Sequence, residues 1–244
     1  MSSGVAVSKG FRPGWAFTLL AAAGLTTLLF LGIWQLQRLA WKEDLIATIE
    51  AGLAAPATRV DELDDIEAFT RVAIEGELAT DRLTLFGTTT LDRELAMNVL
   101  ATVRGPSSRN WLADLGPLPE RLSEQALAGE LSIERPASVE GILVEPQGRG
   151  PFTPANDPAD GQFYAHDLGE LETYFGLPLE PWIFVSETPL RVELLNADPV
   201  VLVNRVSADL PNNHLGYAIT WFGLAGGLLA IYVAFGRHRA RNER

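Results

Sequence analysis

Cysteine is absent from the 244 residues, which excludes disulfides, thiolate metal sites and cysteine nucleophiles. Histidine occurs only three times, and no HExxH pair is among the positions. Lys and Arg (19) are outnumbered by Asp and Glu (31), for a formal net charge of −12. The basic face that nucleic-acid binding needs is therefore missing. No phosphate loop, GxSxG elbow or dinucleotide fingerprint occurs. Carboxylates are plentiful but form no recognisable acid–base constellation, so an enzyme is not expected. Internal repeats, low-complexity segments and long linkers are also lacking.

Two uncharged apolar stretches stand out, Gly14 to Gln37 and Leu215 to Gly236. A bilayer core is spanned by about 20 apolar residues in a helix, where the backbone must satisfy its own hydrogen bonds. The first stretch is too long for the apolar region of a cleaved signal peptide, and its leader is too short and weakly basic for a transit peptide. The expected layout is an N-tail (1–13), a first membrane helix (14–37), a β-rich domain with a stalk helix (38–213), a second membrane helix (214–236) and a basic C-tail (237–244).

Charge sorts the two sides. The tails hold Lys9, Arg12, Arg237, Arg239, Arg241 and Arg244 against Glu243, while the rest of the chain carries 13 basic and 30 acidic residues. Lys and Arg near a span favour the cytoplasmic side. Both termini are thus expected in the cytoplasm of a bacterial cell. The acidic domain is expected in the periplasm, on the outer side of the inner membrane. Trp34 and Trp41 suit an interfacial level, and the first helix is expected to continue as a stalk and stop near Gly52 and Pro56.

The middle reads as a mainly antiparallel β domain with small helices. Arg71 to Leu78 alternates, with Val72, Ile74 and Leu78 on one face. Leu83–Phe86, Met97–Val103, Val139–Val144, Trp182–Val185, Leu190–Leu194 and Val200–Val206 are further strand candidates. Glu120–Ala128, stopping at Gly129, and Leu168–Tyr174, between an Asp167 cap and a Gly176 stop, read as helices. Pro151 to Gly161 is rich in turn formers and reads as an ordered loop, either a plain surface segment or a rigid contact surface.

The chemistry concentrates at the second membrane boundary, Asn212 to Ala225. Asn212 is a candidate N-cap, with His214 in the first turn. Helical spacing places His214, Tyr217 or Ala218, and Trp221 on one face. An imidazole above an aromatic ring at the edge of the hydrocarbon suits the axial ligation of a lipophilic haem. The same residues also suit ordinary interfacial anchoring, and both readings stand at this level. His166, next to the Asp167 cap, and His238, in the basic tail, are weak ligand candidates. Gly223 and Gly227 have GxxxG spacing. The two spans are expected to pack on each other through these small residues and Ala22, Ala23 and Gly24.

The chain resembles the Surf1 family of cytochrome c oxidase assembly factors over nearly its whole length. Leu31-Gly32-Ile33-Trp34-Gln35-Leu36-Gln37-Arg38, continuing to Lys42, is similar to the family's opening signature. Phe69 to Gly76 resembles its first strand. Val139 to Leu143, Phe152 to Pro158 and Phe163 to Leu168 resemble its middle block. Asn213-His214-Leu215-Gly216-Tyr217-Ala218-Ile219-Thr220-Trp221-Phe222-Gly223-Leu224 is similar to its closing signature. The resemblance implies a two-span inner-membrane protein that is not an enzyme. It implies handling of haem a for the catalytic subunit of cytochrome c oxidase, with that subunit and haem a synthase as partners. His214 is then the implied iron ligand, with Tyr217 and Trp221 packed on the ring. The alternative is a haem-free binding or structural module that stays with the oxidase. One departure is visible: the family's Val-Asn-Arg-Gly-Trp-Val-Pro stretch is replaced at Asn110 to Pro117, where the arginine and the Gly-Trp pair are missing. Val203-Asn204-Arg205 echoes it far away in the chain.

Overall fold

A computed structural model describes residues 14–194 and 197–242. The tail with Lys9 and Arg12 lies outside the described residues, as do Glu243 and Arg244. The chain forms two compact units. Of the described residues, 14–47 and 209–242 form a helical unit, and the other unit lies within Thr48–Ala208.

The helical unit is built on α1 (Trp15–Ala54) and α4 (His214–Asn242), the latter continuing through the basic segment after Gly236. Both are long and apolar enough to cross a membrane. Leu20, Phe30, Ile33, Ile219 and Ile231 are exposed, whereas a helix in the core of a soluble protein would bury such residues. These two helices flank a domain made mostly of β-sheet, and the arrangement fits a membrane protein.

The second unit contains β1 (Thr58–Arg59), β2 (Arg71–Glu75), β3 (Glu77–Leu91), β4 (Glu94–Arg104), β5 (Asn110–Pro119), α2 (Ser123–Leu127), β6 (Ser132–Ile133), β7 (Ser138–Val144), β8 (Gln162–Phe163), α3 (Leu168–Phe175), β9 (Ile183–Ser186), β10 (Leu190–Leu194) and β11 (Ala197–Leu202). Eight strands form one sheet in the order β1-β2-β7-β9-β5-β4-β3-β8, and three form a smaller one, β11-β10-β6. Neighbours are antiparallel except β1/β2, β3/β8 and β5/β9.

The main core is shared by the large sheet, the small sheet and α2, through Trp111, Ala113, Leu115, Leu122, Ala126, Leu190, Val192 and Leu202. The opposite face packs Leu100, Leu112 and Ile183 against Leu171 of α3. Central β5 is thus buried on both sides, and Trp111 to Leu115 are all covered. That burial removes the alternation that marks a half-exposed strand, so the sequence pattern did not reveal it. The stretch Arg71 to Leu78, expected as one strand, is two: β2 ends at Glu75 and β3 starts at Glu77. The intervening Gly76 permits a tight approach, because a Cβ there would lie 2.1 Å from the Arg104 carbonyl oxygen. α3 follows its signals, with the Asp167 carboxylate accepting from Glu170 N–H and Gly176 closing it at φ 73°. The expected helix at Glu120–Ala128 starts as a 3-10 turn, Glu120–Leu122, before α2.

The Pro151–Gly161 segment is a loop as expected, pinned by one amide. Asn156 Oδ1 accepts from Tyr164 N–H (2.7 Å) and Ala165 N–H (3.0 Å), while its Nδ2 donates to Glu170 (2.7 Å) and to Ala165 O (3.1 Å).

His166 has a structural role. Its Nδ1 accepts from Gln147 N–H (3.1 Å) and its ring stacks on Phe86 at 3.9 Å. His166 is 8% exposed, and burial lowers its pKa from 6.5 to about 4. The unfolded chain therefore takes up a proton below pH 6.5 that the fold refuses until about pH 4. Stability that is full above pH 6.5 should fall through this window by about 3 kcal/mol. Denaturant titrations of the full chain at pH 7 and pH 4.5 check this, and His166→Gln should flatten the dependence.

Candidate functional site

α1 and α4 run antiparallel. Their contacts occur in opposite chain order: Thr18 Oγ1 with Tyr232 Oη (3.0 Å), Gly24 with Leu228, Gly32 with Phe222, and Gln35 with His214. Phe17 stacks against Tyr232 at 5.7 Å between centroids. Beyond the apolar stretch, Lys42 Nζ donates to the Pro211 carbonyl, and Arg38 lies 3.8 Å over the Trp41 ring. The expected helix–helix packing is present, but not through the expected GxxxG face. Among the described residues, a Cβ at Gly216, Gly223 or Gly227 would meet nothing within 4 Å, whereas one at Gly32 would lie 2.7 Å from Phe222. On the first helix Gly24, as expected, packs on Leu228, while the closest approach is at Gly32, which is not among the residues expected to pack.

The start of α4 also differs from expectation. The Asn213 carbonyl accepts from Tyr217 N–H at 3.3 Å, which puts Asn213 in the capping position. Asn212 Oδ1 is buried and makes no hydrogen bond to any of the described residues. His214 is half-buried in the first turn, and its Nδ1 lies 2.7 Å from Gln35 Oε1.

The structure brings His214, Ala218 and Trp221 to the side of α4 that faces α1: Ala218 is buried, the other two half-buried. Tyr217 is not part of that cluster and is 56% exposed. Trp221 Nε1 is a buried donor without a hydrogen-bond partner among the described residues. Gln35 was not singled out from sequence as a site residue. The available signal was an amide within the apolar stretch, where an unpaired polar group is costly, but Gln37 carries the same signal and is exposed.

These observations bear on whether a haem fits. A haem needs a neutral ring nitrogen with a free lone pair, apolar surroundings and partners for its polar substituents. His214 Nε2 has no partner among the described residues, Tyr217 and Leu215 offer exposed apolar surface, and Trp221 Nε1 is an unused donor. The residues present fit the group. Among the described residues there is no cluster of three or more His, Asp or Glu that could hold a metal ion by side chains alone.

In the second unit, the structure resolves the displaced motif. Asn204 Nδ2 donates to Asp114 O (2.9 Å), Asp114 Oδ1 (3.2 Å) and Ser186 O (3.2 Å), while Asn98 Nδ2 donates to Asp114 Oδ2 (2.6 Å). The Val203-Asn204-Arg205 echo thus folds directly onto the Asn110–Pro117 stretch. Burial pushes the Asp114 carboxyl above the usual carboxylate range, against the pull of its amide partners.

Two long apolar helices in the same chain as a mostly β-sheet domain fit a membrane protein, with one imidazole held where the second helix begins. Residues 22–226 match the SURF1 family, a span containing both Gln35 and His214, and the chain belongs to that family. It is similar to a SURF1-like protein of Rickettsia conorii, 28% identical over 216 residues that cover 87% of this chain and 88% of the relative. A SURF1-like protein of Monosiga brevicollis is 28% identical over 258 residues, covering 99% and 95%. Surfeit locus protein 1 of Xenopus tropicalis is 27% identical over 232 residues, covering 86% and 71%.

Proposed function

We propose that the protein is a non-enzymatic assembly factor that holds haem a at the periplasmic edge of the inner membrane and passes it to the catalytic subunit of cytochrome c oxidase. Haem a is cargo in this reading. His214 Nε2 would hold the iron, and Trp221 and Tyr217 would line the macrocycle. Membership of the SURF1 family supports the reading. So does the sorting of charge, with basic tails and an acidic middle, which favours cytoplasmic termini and a periplasmic domain. The observation that carries it is the half-buried imidazole at the head of α4, whose Nδ1 is engaged by Gln35 and whose Nε2 is free among the described residues. Haem a synthase, as donor, and the catalytic subunit, as acceptor, are the proposed partners.

A second reading is a haem-free module that grips an oxidase subunit. One observation favours it: Phe152 is 98% exposed on a turn closed by Thr153 N–H to Gly150 O (3.2 Å) and Gly150 N–H to Thr153 Oγ1 (3.0 Å). One experiment separates the two. Protein purified from haem-a-producing cells should show a haem band that His214→Ala abolishes. A band unchanged in His214→Ala, or no band in wild type, counts against haem handling. Oxidase subunits that co-purify with band-free wild-type protein would favour the second reading.

A further inference from the structure

We infer that Gln35 is a positioning residue whose amide oxygen holds the His214 imidazole in the Nδ1–H tautomer and so keeps the lone pair on Nε2. The inference rests on the haem-handling reading but concerns a residue on the other helix, and it makes its own prediction for the protein without haem.

Between Leu31 and Ala40 only Gly32 and Gln35 are buried, and Gln35 is 9% exposed between two exposed neighbours, Trp34 and Leu36. An amide taken from water into apolar surroundings is unfavourable unless it finds a partner. That partner is the His214 ring nitrogen Nδ1, 2.7 Å from Oε1, at the short end of the range for an N–H···O bond. A carbonyl oxygen only accepts, so Nδ1 must donate. A neutral imidazole carries one ring proton, which leaves Nε2 unprotonated. This is the form a ring nitrogen needs to bind a metal, and the partner of the other nitrogen commonly sets it.

The contact is built into the helix pair. Gly32 lies one turn from Gln35, and Phe222 two turns from His214. The missing Cβ at Gly32 lets the Phe222 ring close on α1, which brings the amide and the imidazole together. Without the amide, both tautomers and several ring orientations become available, and only part of the population can bind. Removing such a partner typically weakens metal affinity ten- to a hundredfold.

The test uses the full-length protein in lipid nanodiscs with 15N-labelled histidine, the His214 signals being identified by their loss in His214→Ala. Wild type should show a protonated Nδ1 and an unprotonated Nε2. Gln35→Leu should lose this bias, and Gln35→Glu should restore it, because a carboxylate also accepts from Nδ1–H. Titration with ferric haem b, read at its Soret band, should give a Kd about tenfold higher in Gln35→Leu and near wild type in Gln35→Glu. A wild-type Nε2 that carries the proton overturns the inference, as does a Gln35→Leu spectrum identical to wild type. Undiminished haem b affinity in His214→Ala instead overturns the haem-handling reading, while the tautomer spectrum by itself decides whether Gln35 orients the ring.

Discussion

Gly32→Leu should separate the two apolar helices and abolish the His214–Gln35 contact, although position 32 has no side chain that could touch a ligand. An ideal Cβ there already sits 2.7 Å from two carbons of the Phe222 ring. Alanine can be accommodated by a small ring movement, but the three further carbons of leucine leave the ring nowhere to go. The helices must then part or rotate, and a 2.7 Å hydrogen bond does not survive a shift of an ångström or more. The expected result is a haem b affinity reduced by about tenfold or more. The native chain has no cysteine, so a Thr18→Cys/Tyr232→Cys pair joined by a short bis-maleimide linker reports the packing; the tyrosine hydroxyl that makes the contact stands too far from its Cβ for a direct disulfide. It should cross-link in the otherwise wild-type chain and fail to do so with Gly32→Leu. Gly223→Leu and Gly227→Leu, where a Cβ meets nothing, should leave both readouts unchanged. If Gly223→Leu proved the damaging change, the helices would pack through the other face.

Gly141→Val should have the largest effect on the central unit. Gly141 lies mid-strand in β7, opposite Val72 of β2 on one side and Ser186 of β9 on the other. A Cβ there would be 2.1 Å from the Val185 carbonyl oxygen and 2.9 Å from its carbon. Backbone atoms cannot swing aside as a side-chain tip can, so the β7/β9 ladder would have to open. The cost should exceed about 3 kcal/mol, a large part of the roughly 5–15 kcal/mol that holds a domain together. Thermal unfolding followed by tryptophan fluorescence should show Tm lowered by about 10 °C. Gly87→Ala is the comparison. Its φ of +61° disfavours a side chain, but a Cβ there touches nothing, so about 1 kcal/mol is expected. Equal losses from the two substitutions would mean that β7 and β9 are not paired as described.

Legibility of the fold followed the chemistry of each segment. β2 could be read because Val72 and Ile74 alternate with less covered neighbours, and α3 because Asp167 and Gly176 bracket it. β10 was expected at its observed bounds, Leu190–Leu194. β3 was harder to see: register shifts between Ala79 and Thr84 and between Phe86 and Thr89 break its alternation, so only Leu83–Phe86 stood out. β5 gave no periodic signal, being covered on both faces. It also carries Asp114, which looks like a surface residue until Asn98 and Asn204 are found holding it.

The candidate site was legible to the same extent. His214, at the head of an apolar run with aromatic residues in the next two turns, was visible from spacing alone. Its relation to Gln35 was not, since 179 positions separate them. Helical periodicity says which residues share a face but not which face a neighbouring helix will choose. For that reason Tyr217 and Ala218 could not be told apart, and the GxxxG pair was credited with a contact that Gly32 makes.

By itself, the sequence determined that there are two long apolar helices around an acidic β domain, and that an imidazole stands where the second helix begins. Composition and period are local properties, and they suffice for that. Only the tertiary structure decided the rotation of one helix against the other. That rotation is set by which side chains leave room for close approach, and it alone made an amide from the first helix the partner of the histidine on the second.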